Sequence, residues 1–202
     1  MGTSVPRRSI AQTRLSPDEA IARLMEGNRR YAAKQLTSFS EDLDILRQNT
    51  VAKQEPFAAV LSCSDSRVPV ELIFDQTINH IFVARIAGNS CTPEVIASLE
   101  YGALSLGTVA ILVLGHADCG AVKAAIAGKS VPGQISALYA PLRPAVERGG
   151  GDLTASIKAN AQIQANLLRT ASPVLAGLAS QGRLKVTAGY YNLADGSVTL
   201  LG

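Results

Sequence analysis

The sequence predicts an α/β fold: a mostly parallel central β-sheet flanked by helices, with an antiparallel C-terminal edge strand and an N-terminal helical arm. Three observations carry this expectation. Strand-sized apolar runs recur from residue 57 onward, segments with helix-start signatures lie between them, and the last two runs are joined by the short polar turn "NLADG". Continuous apolar strands separated by helices mark a parallel sheet covered on both faces, whereas a short turn forces its two strands antiparallel.

The first element opens at Ser16-Pro17-Asp18-Glu19, with Ser16 as N-cap, Pro17 at the first helical position and Glu19 three residues past the cap. Ile21, Leu24, Met25 and Tyr31 then fall on one stripe, and a polar stretch follows to about Gln54. That stripe fits either its own domain or a partner subunit. The strands expected are "FAAVLS" (57–62), "HIFVARIA" (80–87), "VAILVLG" (109–115), "LKVTAGYY" (184–191) and "SVTLL" (197–201). Between them, Thr92 and Pro93 open a helix over 92–107 and Asp152 opens another over 152–171. "RGGGD" at 148–152 reads as a flexible joint inside the domain, because strands needed for the sheet lie on both sides of it. The domain reading is a flexible stretch over 1–15 and one domain over 16–202, divided into a helical arm (16–54) and an α/β core (55–202).

With 202 residues, 47% of them hydrophobic, the chain is long enough to bury a full core. A net charge of +3 with scattered basic residues argues against nucleic acid as a partner. The longest apolar run, "VAILVL", falls far short of the ~20 residues that cross a bilayer. The N-terminus lacks the apolar stretch of a secretory signal, which favours the cytoplasm; a periplasmic or secreted location would require that a signal had been removed. Three cysteines, an odd count, make a poor disulfide framework and leave metal binding or plain burial.

Chemistry concentrates at two strand ends. "LSCSDSRVP" places Cys63, Asp65 and Arg67 at every second position, and such residues share a face in an extended chain. The third strand ends in "GHADCG", which puts His116 and Cys119 three residues apart where a strand gives way to a helix. Singly, each residue reads as an ordinary core or surface residue. Together, at the carboxyl ends of strands in one sheet, Cys63, His116 and Cys119 form a donor set that suits zinc, and three protein ligands leave one tetrahedral position open for catalysis. Asp65 is the neighbour placed to fill or guard that position.

"CSDSRVP" and "HADCG" together resemble the paired zinc motifs of the β-class carbonic anhydrases, and "EGNRRY", "FDQ", "VARIAGN" and "SLEYGA" resemble further segments of that family. The resemblance runs from Ser16 to the final strands. It implies one Zn2+ per subunit on Cys63, His116 and Cys119, with Asp65 and Arg67 as a gating and orienting dyad. It further implies that Gln54 and the backbone at Gly120 hold substrate, and that Phe82 and Tyr101 line an apolar pocket reaching across a subunit interface of a homodimer or dimer of dimers. Val60 stands where some members carry a regulatory tryptophan, Ala87 stands where a larger aliphatic is common, and Cys91 matches no ligand. His80 reads as an exposed residue ahead of a strand rather than a proton relay.

The expected reaction is zinc-dependent, reversible hydration of carbon dioxide to bicarbonate and a proton. Hydrolysis of carbonyl sulfide or carbon disulfide on the same scaffold is the rival reading, and a zinc-stabilised interaction protein without turnover is a more distant one. An alcohol dehydrogenase would also use two Cys and one His, but no G-x-G-x-x-G fingerprint is present.

Overall fold

The computed structural model describes residues 13–38 and 43–202, with only the backbone described at 45, 46 and 49. The expectation of a flexible N-terminus falls largely on residues 1–12, outside the described residues.

Among the described residues five strands form one sheet: β1 (Ala58–Ser62), β2 (Ile81–Arg85), β3 (Ala110–His116), β4 (Lys185–Tyr191) and β5 (Val198–Leu201). Their order is β2-β1-β3-β4-β5. The first four are parallel and β5 runs antiparallel to β4. The helices are α1 (Pro17–Ala32), α2 (Leu43–Thr50), α3 (Val70–Ile73), α4 (Pro93–Leu104), α5 (Gly120–Ala127), α6 (Tyr139–Arg148), α7 (Leu153–Ala171) and α8 (Pro173–Ser180). The α/β class, the parallel sheet and the antiparallel edge are as the sequence predicts.

Strand alternation divides the core between two faces. Ala58, Val60, Ala110, Leu112 and Leu114 pack with Ala20, Ile21 and Leu24 of α1 on one side. On the other, Ala59, Leu61, Ile111 and Val113 meet Leu99 of α4, Ala161, Ala165 and Leu168 of α7, and Leu175 of α8. The apolar stripe of α1 thus belongs to the core of its own chain.

The predicted caps all form. Ser16 Oγ accepts from Glu19 N–H at 3.2 Å while Ser16 N–H donates to Glu19 Oε2 at 2.7 Å. Thr92 caps α4, and Asp152 Oδ1 accepts from Ala155 N–H at 2.7 Å at the start of α7. The "RGGG" joint lies inside the domain, with strands of the one sheet on both sides of it. It is a hydrogen-bonded turn between α6 and α7, in which the N–H groups of Gly149, Gly150 and Gly151 donate back to Ala145, Glu147 and Val146.

The strand order places the site. The chain leaves β1 toward β2 on one side, then crosses back to β3 on the other, so the loops after β1 and β3 diverge and open a crevice at their carboxyl ends. Parallel sheets bind ligands at such switch points.

Candidate metal centre

Cys63 follows β1 directly, and His116 is the last residue of β3, whose Leu114 pairs with Ser62. Cys119 is the N-cap residue of α5, reached through Asp118, which adopts a positive φ of 60°. This geometry brings Cys63 Sγ, His116 and Cys119 Sγ within 4.8 Å of one another, all three buried.

The donors are prepared for a cation. His116 Nδ1 lies 2.9 Å from the Ala117 carbonyl, so it carries the proton and donates, which leaves Nε2 as a lone-pair donor. That Nε2 is buried and has no hydrogen-bond partner, a costly state unless a ligand satisfies it. The Cys63 thiol is drawn down to about 4, chiefly by a hydrogen bond with Cys119, against its burial and with help from His116 and from the N–H groups of Gly88 and Asp65. The same pairing and burial push the Cys119 thiol up, opposed by N–H groups of Val122 and Ala121 in the first turn of α5. Two sulfurs and one imidazole nitrogen around one point fit the donor chemistry of zinc.

Asp65 stands beside this cluster, with Oδ2 3.9 Å from His116 Nε2. Arg67 holds both of its oxygens: Nε donates to Oδ1 at 3.0 Å and Nη2 to Oδ2 at 2.8 Å. The pair does not arise from a shared strand face, as period-two spacing implies, but from an Asx turn in which Arg67 N–H donates to Asp65 Oδ1 at 2.9 Å. Hydrogen bonds from Arg67 hold the Asp65 carboxyl well below the usual carboxylate range, against a smaller effect of burial. Arg67 is itself braced by the Asp118 carbonyl at 3.3 Å and its carboxylate at 3.5 Å, and Asp118 also pairs with Lys123.

A carbonic anhydrase family model matches residues 58–198. Carbonic anhydrase 2 of Mycobacterium tuberculosis is 33% identical, over 92% of this chain and 93% of its own. A carbonic anhydrase of Pseudomonas aeruginosa is 32% identical, over 77% of this chain and 78% of its own. Among solved structures, the β-carbonic anhydrase of Aspergillus fumigatus superposes with a TM-score of 0.73 at 25% identity, covering 91% of this chain and 89% of that one. The chain belongs to the β-class carbonic anhydrase family.

The remaining residues expected at the site of this carbonic anhydrase divide into two groups. Gly120, the first residue of α5, lies next to Cys119 with open space where a Cβ would stand. Gln54, Phe82 and Tyr101 lie elsewhere. Gln54 is exposed and precedes β1, whose five residues alone span roughly 16 Å before Cys63 is reached. Phe82 pairs with Ala59 near the start of β1, and its ring centroid is 6.4 Å from that of Tyr101, which is half exposed on α4. His80 likewise lies at the amino end of the sheet, against the Phe57 ring and 3.4 Å from Arg23 Nη2, remote from the donors. Cys91 is a helix-entry thiol, pushed up to about 12 by burial.

Sequence reasoning missed Arg85. Its guanidinium donates to the Cys63 carbonyl at 2.9 Å and the Asp65 carbonyl at 2.6 Å and so fixes the backbone of the turn. The signal was a charged residue closing an otherwise apolar strand, in "VARIA".

Proposed function

We propose that Asp65 and Arg67 serve as gate and orienting cation beside a zinc site made by Cys63, His116 and Cys119. The reaction is that of the family, reversible hydration of carbon dioxide to bicarbonate and a proton with zinc as cofactor. Zinc supplies the Lewis acidity that makes a water reactive near neutral pH. Cys63 and Cys119 contribute the charge that holds the cation, and His116 contributes a neutral nitrogen whose orientation the Ala117 carbonyl fixes. Asp65 keeps an ionised oxygen beside the donors, where it accepts a hydrogen bond from the reacting water. Arg67 keeps that carboxylate charged and turned toward the task.

The observation that carries this reading is that both Asp65 oxygens are engaged by Arg67 next to a buried set of soft donors. A carboxylate so held would not compete with water for the cation that Cys63, His116 and Cys119 would hold. Arg67→Ala frees it, and carbon dioxide hydration is expected to fall by about 100-fold while zinc content per chain is unchanged. Full activity in that variant, or loss of the metal, contradicts the assignment.

We further infer that the enzyme works as a homodimer or dimer of dimers. Gln54, Phe82 and Tyr101 all lie toward the amino end or the β2 edge of the sheet, away from the donors of their own chain. A second copy across the β2 edge would receive them at its site.

A further inference from the structure

We propose that Asn160 is a positioning residue for the metal centre, which fixes the backbone of Gly88 by its carbonyl and so aims the Gly88 N–H at the sulfur of Cys63. The proposal rests on the zinc assignment above and adds to it a hydrogen bond that sets how strongly Cys63 donates.

The observation begins on α7. Ser156, Asn160 and Gln164 recur every four residues on one face of this helix and are all but completely buried, beside Ile157 and Ala161 of the apolar core. Burying two carboxamides there is unfavourable unless their bonds are met. The Asn160 and Gln164 amides are met by each other and by the segment after β2. Asn160 Nδ2 donates to the Gly88 carbonyl at 2.8 Å, and Gln164 Nε2 donates to Asn160 Oδ1 at 3.1 Å. Gln164 is in turn fixed by the Cys91 N–H, which donates to its Oε1 at 2.9 Å, and by its own bond to the Pro141 carbonyl at 3.3 Å.

The segment so clamped ends its work on Cys63. Gly88 N–H donates to Cys63 Sγ at 3.3 Å. Gly88 has a φ of +79°, and a Cβ there would come 3.0 Å from Leu142 and 3.3 Å from Ala121, so the residue that joins the two bonds is held in a conformation and a space that favour glycine. A donor aimed at a thiolate draws charge from the sulfur and weakens it as a ligand. Two thiolates make a metal less acidic than imidazoles do, and this bond counters that effect at one of them. The chain of contact therefore runs from Gln164 to Asn160, to the Gly88 carbonyl, through the fixed Gly88 backbone to its N–H, and from there to the sulfur.

Two measurements test it without relying on turnover. In the wild-type enzyme loaded with a spin-active cadmium isotope, the Gly88 amide proton is expected to show scalar coupling to the metal through Sγ; absence of that coupling overturns the proposal. In the cobalt-substituted enzyme, Asn160→Leu is expected to move the sulfur-to-cobalt charge-transfer absorption to lower energy, with one metal still bound per chain, and to lower kcat about 10-fold. An unshifted band in a folded, cobalt-loaded Asn160→Leu enzyme also overturns it, because a purely structural amide would alter stability and leave the band in place. If Asn160→Leu does not fold, Asn160→Ala, which also removes the donor to the Gly88 carbonyl, takes its place in the cobalt measurement, with the same shift expected and an unshifted band overturning the proposal. Failure of the wild-type chain to bind cadmium or cobalt stoichiometrically would instead overturn the metal assignment, and the inference with it.

Discussion

Asp65 and Asp75 of this enzyme each sit against an arginine, and their exposure separates their roles. The Asp65 side chain is 17% exposed and Arg67 47%, so their ion pair adds little to stability and its value is in orientation. The Asp75 side chain is 0% exposed, and it gathers Arg30 Nε at 2.6 Å, Thr37 Oγ1 at 2.8 Å and Ser38 N–H at 2.9 Å. Burial opposes its charge, but the bonds from Ser38, Arg30 and Thr37 outweigh burial and hold the carboxyl well below the usual range. A carboxyl depressed in the folded state contributes stability that is complete above the unfolded value of about 4 and is lost as pH falls below it. Asp75→Asn is therefore expected to lose about 2 to 3 kcal/mol at pH 7, allowing for the partial exposure of Arg30, with the difference from wild type shrinking below about pH 4. Urea unfolding across this range checks it, and equal stability at pH 7 would show that the cluster is incidental. Asp65 and Arg67 were legible from their spacing, although the turn that joins them was not. Asp75 was legible only as part of a family-like "FDQ", because its partners are 37 to 45 residues away in sequence.

Among the elements, those with strong local chemistry were readable. The capping residues of α1, α4 and α7 and the apolar alternation of β1 and β3 follow from rules that act within a few residues. Helix α2 and helix α6 were not, the first because it lies in a polar stretch and the second because Pro141 and Pro144 argue against a helix. Two family-like segments explain each other once folded. In "EGNRRY", Gly27 lets α1 approach the end of α3 so closely that a Cβ would stand 1.8 Å from the Phe74 carbonyl, and Asn28 bonds to the Ile73 and Gly196 carbonyls and to Val198 N–H. The element that bears on assembly is β2. Among the described residues it is an edge strand of the sheet, the position from which a sheet can pair with another chain, and Tyr101 and Leu104 expose apolar surface on α4, which packs against it. For the dimer inferred above, sedimentation velocity at assay concentration is expected to show a dimer or larger species, and a fully active monomer would contradict it.

At the scale of the whole molecule, function depends on a junction that no local window contains. The crevice between β1 and β3 exists because the strand order reverses there, and it brings residues 63, 116 and 119 to one point. The donors were legible because cysteine and histidine at strand ends carry their own chemistry. Arg85 and Asn160 were not, since their value lies in carbonyl groups that only the folded chain presents to them. The central claim is that this junction holds zinc for carbon dioxide hydration. It is tested most directly by stopped-flow hydration of carbon dioxide with zinc quantified in the same preparation, on the wild type and on Cys63→Ser, in which a hydroxyl replaces a thiolate donor. The account predicts rapid hydration that tracks one zinc per chain in the wild type and the loss of both metal and activity in the variant. One zinc per wild-type chain with no hydration above buffer, or full zinc retained by Cys63→Ser, would contradict it.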